Sequence, residues 1–147
     1  MAQKFNLESY RDNLKNQIAT LYAKWAEMKA NRHDRFWEIQ DLEDEIYDLN
    51  LRLDPKFMCE YCYSDRHAYQ VLRIETEKRM VVRRLFAKRV NVGEYWMSDA
   101  QSYEFTEDLE APEITLRLHK DGRWYATNNC NPFGITEAPH EYFDYSF

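Results

Sequence analysis

The sequence predicts an α+β fold in which an N-terminal antiparallel helical hairpin, coiled-coil-like in its periodicity, precedes an antiparallel β-sheet domain. Two patterns predict it: a long apolar repeat of 3.5 residues in the first third, and strand-like alternation with an Asp-Gly turn in the last third. The 147 residues fit one compact domain, or a small domain with a helical appendage. We expect residues 1–55 to form the helical region and residues 56–147 the β domain, which ends in an irregular aromatic tail.

The helical prediction rests on residues 7–53, which contain neither Gly nor Pro. Two heptad-spaced sets of positions form the seam of this segment, and 11 of the 14 positions are apolar. The two sets are Leu7, Leu14, Leu21, Met28, Arg35, Leu42 and Leu49, and Arg11, Ile18, Trp25, Arg32, Ile39, Ile46 and Leu53. A repeat kept over this length indicates helix.

Charges beside the seam favour antiparallel pairing, because lysines flank its first half and glutamates its second half. In a parallel dimer, Lys24 would face Lys29 of the other chain. Two antiparallel arrangements stay open: a hairpin that turns near residues 31–34, and a dimer of unbroken helices about 70 Å long. The dimer would bury Arg32 and Arg35 against their own copies, which is costly, so the hairpin is preferred.

Tyr10, Tyr22 and Phe36 widen the apolar stripe of the helices beyond the seam. A stripe of this width usually contacts more than one partner helix. Either the sheet covers it or two hairpins assemble into a four-helix bundle, and we expect a homodimer.

Pro55 ends the helical segment, and a connector with Cys59 and Cys62 leads to strands that are expected from about residue 69 to residue 127. Residues 69–76 and 79–92 are interpreted as two strands with a turn near Glu77 and Lys78, although a helix is an alternative there. Residues 113–119 and 123–127 form the best-defined pair, since Asp121 and Gly122 suit a tight turn. The open antiparallel sheet then spans about residues 69–127, and residues 128–147 are expected to be irregular.

The three cysteines indicate a reducing, cytoplasmic environment, because an odd number cannot complete a disulfide framework. Cys59, Cys62 and His67 have the spacing of half a zinc site, but no second close pair of ligands accompanies them. We expect no metal and no cofactor, and zinc binding by these three residues stays open. No apolar run approaches the roughly 20 residues that a membrane span needs, so no membrane partner is expected.

Residues 56–92 are basic, with a balance of +5, between segments of −3 and −8. The most specific polar feature of the chain is the basic stretch in this segment, which consists of Arg79, Arg83, Arg84, Lys88 and Arg89. Side chains of this type bind phosphates if one face stays open, which makes a nucleotide- or nucleic-acid-binding protein the alternative function. The simpler interpretation is that the acidic C-terminal segment neutralises them.

Residues 93–147 combine aromatic and acidic side chains in the way that protein-binding surfaces do. The predicted protein-binding residues are Tyr95, Trp96, Asp99, Tyr103, Glu104 and Phe105. Since no serine has a nucleophile elbow and the four histidines are scattered, we expect no enzyme and no catalytic residues.

The expected function is therefore a non-enzymatic protein-interaction module that self-associates through its helices. In composition the chain resembles small bacteriophage accessory proteins that inhibit a host or defence protein. Its partner would be a protein with a basic surface, such as a nucleic-acid-binding protein, which the module would inhibit through the acidic aromatic segment.

Overall fold

The computed structural model of the chain describes residues 4–31, 36–90, 100–127 and 129–145, and it contains two helices followed by antiparallel strands. The predicted α+β class is thereby confirmed. The chain divides into two compact units, Met1–Asp54 with the helices and Pro55–Phe147 with the strands. Neither helix combines the length and the apolar character that a membrane crossing requires, over the ranges just given.

The helical unit consists of α1 (Leu7–Ala30) and α2 (Phe36–Leu53). The Asn6 side chain caps α1 by accepting a hydrogen bond from the backbone N–H of Ser9 at 3.1 Å. Leu49 near the end of α2 packs on the first half of α1, whereas Glu43 accepts a hydrogen bond from Trp25 near the end of α1. The two helices are therefore antiparallel, the direction that the flanking charges favour. The proposed turn residues Arg32, Asp34 and Arg35 lie outside the described residues.

The helices share an apolar core. This core is small, since most side chains of the two helices face solvent. Its buried residues are Leu14, Ile18, Leu42, Ile46 and Leu49. Tyr10, Leu21 and Leu53 pack against it and are partly buried.

The second unit contains a closed barrel and a separate two-stranded ribbon. The strands are β1 (Phe57–Cys62), β2 (Asp65–Thr76), β3 (Arg79–Arg84), β4 (Phe86–Arg89), β5 (Tyr103–Thr106), β6 (Glu113–Leu118), β7 (Trp124–Ala126) and β8 (Phe133–Thr136). Six of them close the barrel in the order β1-β2-β3-β6-β7-β8, while β4 and β5 form the ribbon. The sheet is thus closed, which corrects the expected open sheet over residues 69–127.

Inward-facing side chains from six strands fill the barrel. The buried members of this core are Met58, Tyr69, Met80, Val82, Leu116, Trp124 and Phe133. They alternate with outward-facing neighbours along each strand, as half-buried strands require.

Two segments expected to be irregular are strands of the barrel. The connector with Cys59 and Cys62 forms β1, and part of the tail forms β8, whose Gly134 is in register with Cys59. The tail contributes again at Tyr142, which pairs with Arg66 of β2. β8 and Tyr142 pair with strands distant in sequence, which short local patterns do not reveal, whereas β1 forms a hairpin with the adjacent β2.

The two turns predicted in the β domain are found where the sequence placed them. Glu77 and Lys78 connect β2 to β3, which excludes the helical alternative for this segment. Gly122 connects β6 to β7 with a φ of 82°, a conformation that glycine adopts without strain.

Candidate functional site

The predicted protein-binding residues fall into two groups. Tyr95, Trp96 and Asp99 lie outside the described residues. The other three, Tyr103, Glu104 and Phe105, lie on β5, where successive side chains point to opposite faces of the ribbon. Glu104 therefore does not share a face with the two aromatic residues.

The inner face of the ribbon carries Tyr103 and Phe105, both half-buried, and it contacts the C-terminal segment. Arg89, the partner of Tyr103 across the ribbon, donates a hydrogen bond to the Tyr145 hydroxyl at 3.2 Å. Gln101 bonds to the Tyr103 hydroxyl and accepts the backbone N–H of Phe143. These contacts give Tyr103 a structural role in holding the C-terminal segment, and Phe105 packs beside the Tyr103 ring at 6.3 Å.

The outer face of the ribbon is open and carries Phe86, Lys88, Glu104 and Thr106. The Phe86 side chain is 55% exposed, and Glu104 faces Lys88 across the strands. The turn that follows β5 adds Leu109, which is 73% exposed between acidic residues of the stretch 107–110. The acidic residues on both sides of Leu109 are visible in the sequence. The position of Phe86 on this face, by contrast, follows only from the pairing of β4 with β5.

The residues of the basic stretch are separated rather than gathered on one surface. Arg84 forms a two-pronged ion pair with Glu141, with distances of 2.9 and 2.6 Å. Arg79 lies 3.7 Å from Glu75, and Lys88 is opposite Glu104. The remaining two members are Arg83, in register with Glu113, and Arg89, beside Tyr145.

One end of the barrel interior is polar and centred on the buried carboxylate of Glu60. The Tyr69 hydroxyl donates to Oε1 at 3.0 Å, and the Asn129 and Asn131 amides donate to Oε2 at 3.1 and 3.2 Å. Burial raises the pKa of Glu60, but these hydrogen bonds outweigh it, so the pKa lies below its ordinary value. The carboxylate is thus ionised and stabilised by neutral donors.

The Arg84–Glu141 pair lies beside the same end of the barrel. His67 Nδ1 is 3.2 Å from both the Glu141 carboxylate and the Arg84 guanidinium, and the Ala68 N–H donates to Glu141 at 2.9 Å. Burial raises the pKa of Glu141, whereas the contacts with His67, Arg84 and Ala68 lower it. The contacts outweigh burial, so the pKa of Glu141 lies below its ordinary value. Because these groups satisfy one another, they tie the C-terminal segment to β2 and β3.

The cysteine pair of the possible zinc site does not converge. Cys59 and Cys62 are three residues apart on β1, so their side chains point to opposite faces. Burial raises the pKa of each thiol to about 11, which keeps both protonated at neutral pH. Within the described ranges, no group of three or more His, Cys, Asp or Glu side chains has metal-binding geometry.

The helical unit presents large aromatic side chains to solvent. Phe36 and Trp37 at the start of α2 are 65% and 75% exposed, and their rings contact each other edge to face at 5.1 Å. Tyr22 and Tyr47 are each about half exposed. Phe36 and Tyr47 are eleven residues apart, about three helical turns, and therefore lie on the same face of α2.

Comparison of the chain with protein-family models, curated proteins and solved structures gives no match.

Proposed function

We propose that this protein is a non-enzymatic interaction module that self-associates through its helical unit and inhibits a protein partner through its acidic second unit. The carrying observation is the exposure of Phe36, Trp37 and Tyr47 on a helix pair with a small core. Exposed aromatic groups on one element are typical of interaction sites, because burial of each removes a large apolar area from water.

The charge of the helices supports a second copy of the chain as the occupant of this face. α1 has a net charge of +1, whereas α2 has a net charge of −5. In a two-fold arrangement, α1 of each copy lies beside α2 of the other, which places unlike charges together. The product is a four-helix bundle that buries the aromatic groups.

The outer face of the ribbon supports the second part of the proposal. Phe86 and Leu109 supply exposed apolar anchors, and the acidic residues around them complement a basic protein surface. The segment from residue 93 onward has a balance of −8, which steers a basic partner towards this unit.

Analytical ultracentrifugation tests the self-association. The wild-type chain is expected to sediment as a dimer at micromolar concentration, and the double variant Trp37→Glu/Tyr47→Glu as a monomer. Phe86→Glu/Leu109→Glu, which adds the same two negative charges at exposed positions of the other unit, is the matched control and should remain dimeric. A monomeric wild-type chain would refute this part of the proposal.

Affinity capture from a host-cell extract tests the partner surface. We expect the wild-type chain to retain a basic protein in a salt-sensitive manner, and the variant Phe86→Glu/Leu109→Lys to release it. Tyr63→Glu, at a 93% exposed aromatic residue elsewhere in the same unit, should retain it. Retention by all three chains, or by none, counts against the ribbon as the binding surface.

A further inference from the structure

A cleft of about 440 Å³ opens on the outer side of the barrel. Its walls are Tyr61 of β1, Arg66 of β2, Gly122 and Arg123 of the β6–β7 turn, and Phe133 and Gly134 of β8. Tyr61 and Arg66 are register partners that point away from the core. A volume of this size is typical of small-molecule sites.

The Arg66 guanidinium is held in position at one wall of this cleft. It donates to the backbone carbonyls of Tyr63 and Asp65 at 3.0 and 2.8 Å. Its Cζ also lies 4.9 Å from the centre of the Tyr61 ring, a cation–π contact. An arginine fixed in this way loses little side-chain entropy when it binds a ligand.

Within the described part of the chain, neither arginine of the cleft forms an ion pair. Over the residues that the structure describes, no carboxylate lies within 4.0 Å of the Arg66 or Arg123 guanidinium. The acid of the adjacent turn, Asp121, instead accepts the Tyr125 hydroxyl and the backbone N–H of Arg123. The cleft thus keeps two positive charges in a chain whose net charge is −6.

The Tyr61 hydroxyl completes the polar wall. Burial raises the pKa of this phenol, and so do the charge of Cys59 and a hydrogen bond between the two side chains, whereas the charges of Arg66 and Arg123 act to lower it. The raised pKa keeps the hydroxyl protonated at neutral pH. A Cβ at Gly134 would lie 3.3 Å from the Tyr61 ring, so glycine lets the ring lie close against β8.

We propose that this cleft binds the phosphate group of a small phosphorylated molecule, with Arg66, Arg123 and the Tyr61 hydroxyl as its donors. Guanidinium groups match the oxygens of phosphate in geometry and charge. A small ligand is favoured over a nucleic acid because the acidic chain repels a long polyanion, whereas local charges dominate within a Debye length of about 10 Å.

Isothermal titration of the full-length chain tests the site, with inorganic phosphate, adenosine 5′-monophosphate and adenosine as probes. We expect the two phosphate compounds to bind and adenosine, which lacks the phosphate, not to bind. Arg123→Gln should weaken binding about tenfold or more, because a charge-assisted hydrogen bond is lost. Tyr61→Phe should weaken it by a smaller factor.

Lys56→Gln is the matched control, because it removes one positive charge from an exposed position five residues before Tyr61, about 17 Å along the extended chain. Its affinity for phosphate should stay within about twofold of wild type, the size expected for a screened distant charge. Equal losses in Arg123→Gln and Lys56→Gln would indicate a general charge effect and overturn the proposal. Failure of both phosphate compounds to bind, or binding of adenosine alone, would overturn it as well. None of these variants touches the helical unit or the outer ribbon face, so the outcome is independent of the proposed protein binding.

Discussion

Single residues on β1 behave differently because the strand alternates between two environments. Met58 and Glu60 face the barrel interior, whereas Cys59 and Tyr61 face outward. Cys59 is fully buried nevertheless, and Cys62 is half-buried at the polar end of the barrel. The three-residue spacing of Cys59 and Cys62 therefore places the two thiols on opposite faces of a strand and does not bring them together as metal ligands.

Thiol reactivity provides a prediction at this scale. Cys130 is exposed, whereas the thiols of Cys59 and Cys62 have a pKa raised to about 11. Because the thiolate is the reacting species, one thiol per native chain should react rapidly with Ellman's reagent at pH 8. Cys130→Ser should abolish the rapid phase, while Cys62→Ser should leave it intact. Rapid reaction of two or three thiols would contradict the burial of β1.

Single-residue roles proposed from the sequence depend on contacts that local spacing does not reveal. The sequence groups Glu104 with Tyr103 and Phe105, whereas strand alternation places Glu104 on the opposite face of the ribbon. The alternative function uses Arg84 to bind phosphate, whereas the structure pairs Arg84 with Glu141, 57 positions away. Roles that depend on distant partners are not encoded in local spacing, whereas the Asp121-Gly122 turn is local and was predicted correctly.

At the scale of elements, the sequence predicted those with strong periodicity. Both helices and the strands β6 and β7 lie where the pattern placed them, and β2 begins four residues before the predicted strand 69–76. The predicted strand 79–92 is divided, because β3 ends at Arg84 and β4 pairs with β5 in the ribbon. β8 is defined by its pairing with β1. Barrel closure joins chain segments that are far apart in sequence. Short sequence patterns therefore do not predict it.

Phe133 provides the prediction for β8. Its side chain is 1% exposed and its ring packs on Tyr69 at 5.0 Å. Phe133→Ala should lower the free energy of unfolding by about 3–5 kcal/mol, because a large cavity opens in the barrel core. Urea denaturation followed by circular dichroism measures the loss. Phe86→Ala, at an exposed phenylalanine, is the matched control and should cost about 1 kcal/mol or less.

At the scale of the whole molecule, the charge partition of the sequence has a structural counterpart. The basic middle and the acidic end meet directly in the ion pair of Arg84 with Glu141, and Lys88 lies opposite Glu104 across the ribbon. This pairing matches the simpler interpretation of the basic stretch. The excess of negative charge remains on the helical unit and on the last third of the chain.

Stability towards acid follows from two carboxylates of the second unit. The pKa values of Glu60 and Glu141 are lowered in the folded state, so each carboxylate stabilises the fold above its ordinary pKa. This contribution is lost as the pH falls below about 5, because protons bind the unfolded chain more readily. Urea denaturation at pH 7, 5 and 4 should show a steady decrease in stability.

The double variant Glu60→Gln/Glu141→Gln separates these two groups from the other acids. It should be less stable than wild type at pH 7 and should lose less stability between pH 7 and pH 4. Glu137→Gln, at an exposed position, should follow the wild-type pH dependence. Parallel curves for wild type and the double variant would show that other carboxyl groups control the acid response.

The pairing of Tyr142 with Arg66 has a consequence for handling the protein. β3 ends at Arg84, and beyond that point Tyr142 takes up the backbone hydrogen bonds of β2, at 2.8 and 2.9 Å. Cleavage before residue 140 would leave this edge with unpaired N–H and C=O groups, which other chains complete by strand addition. Limited proteolysis at the C-terminal end should therefore produce aggregates, even though the barrel core is left uncut.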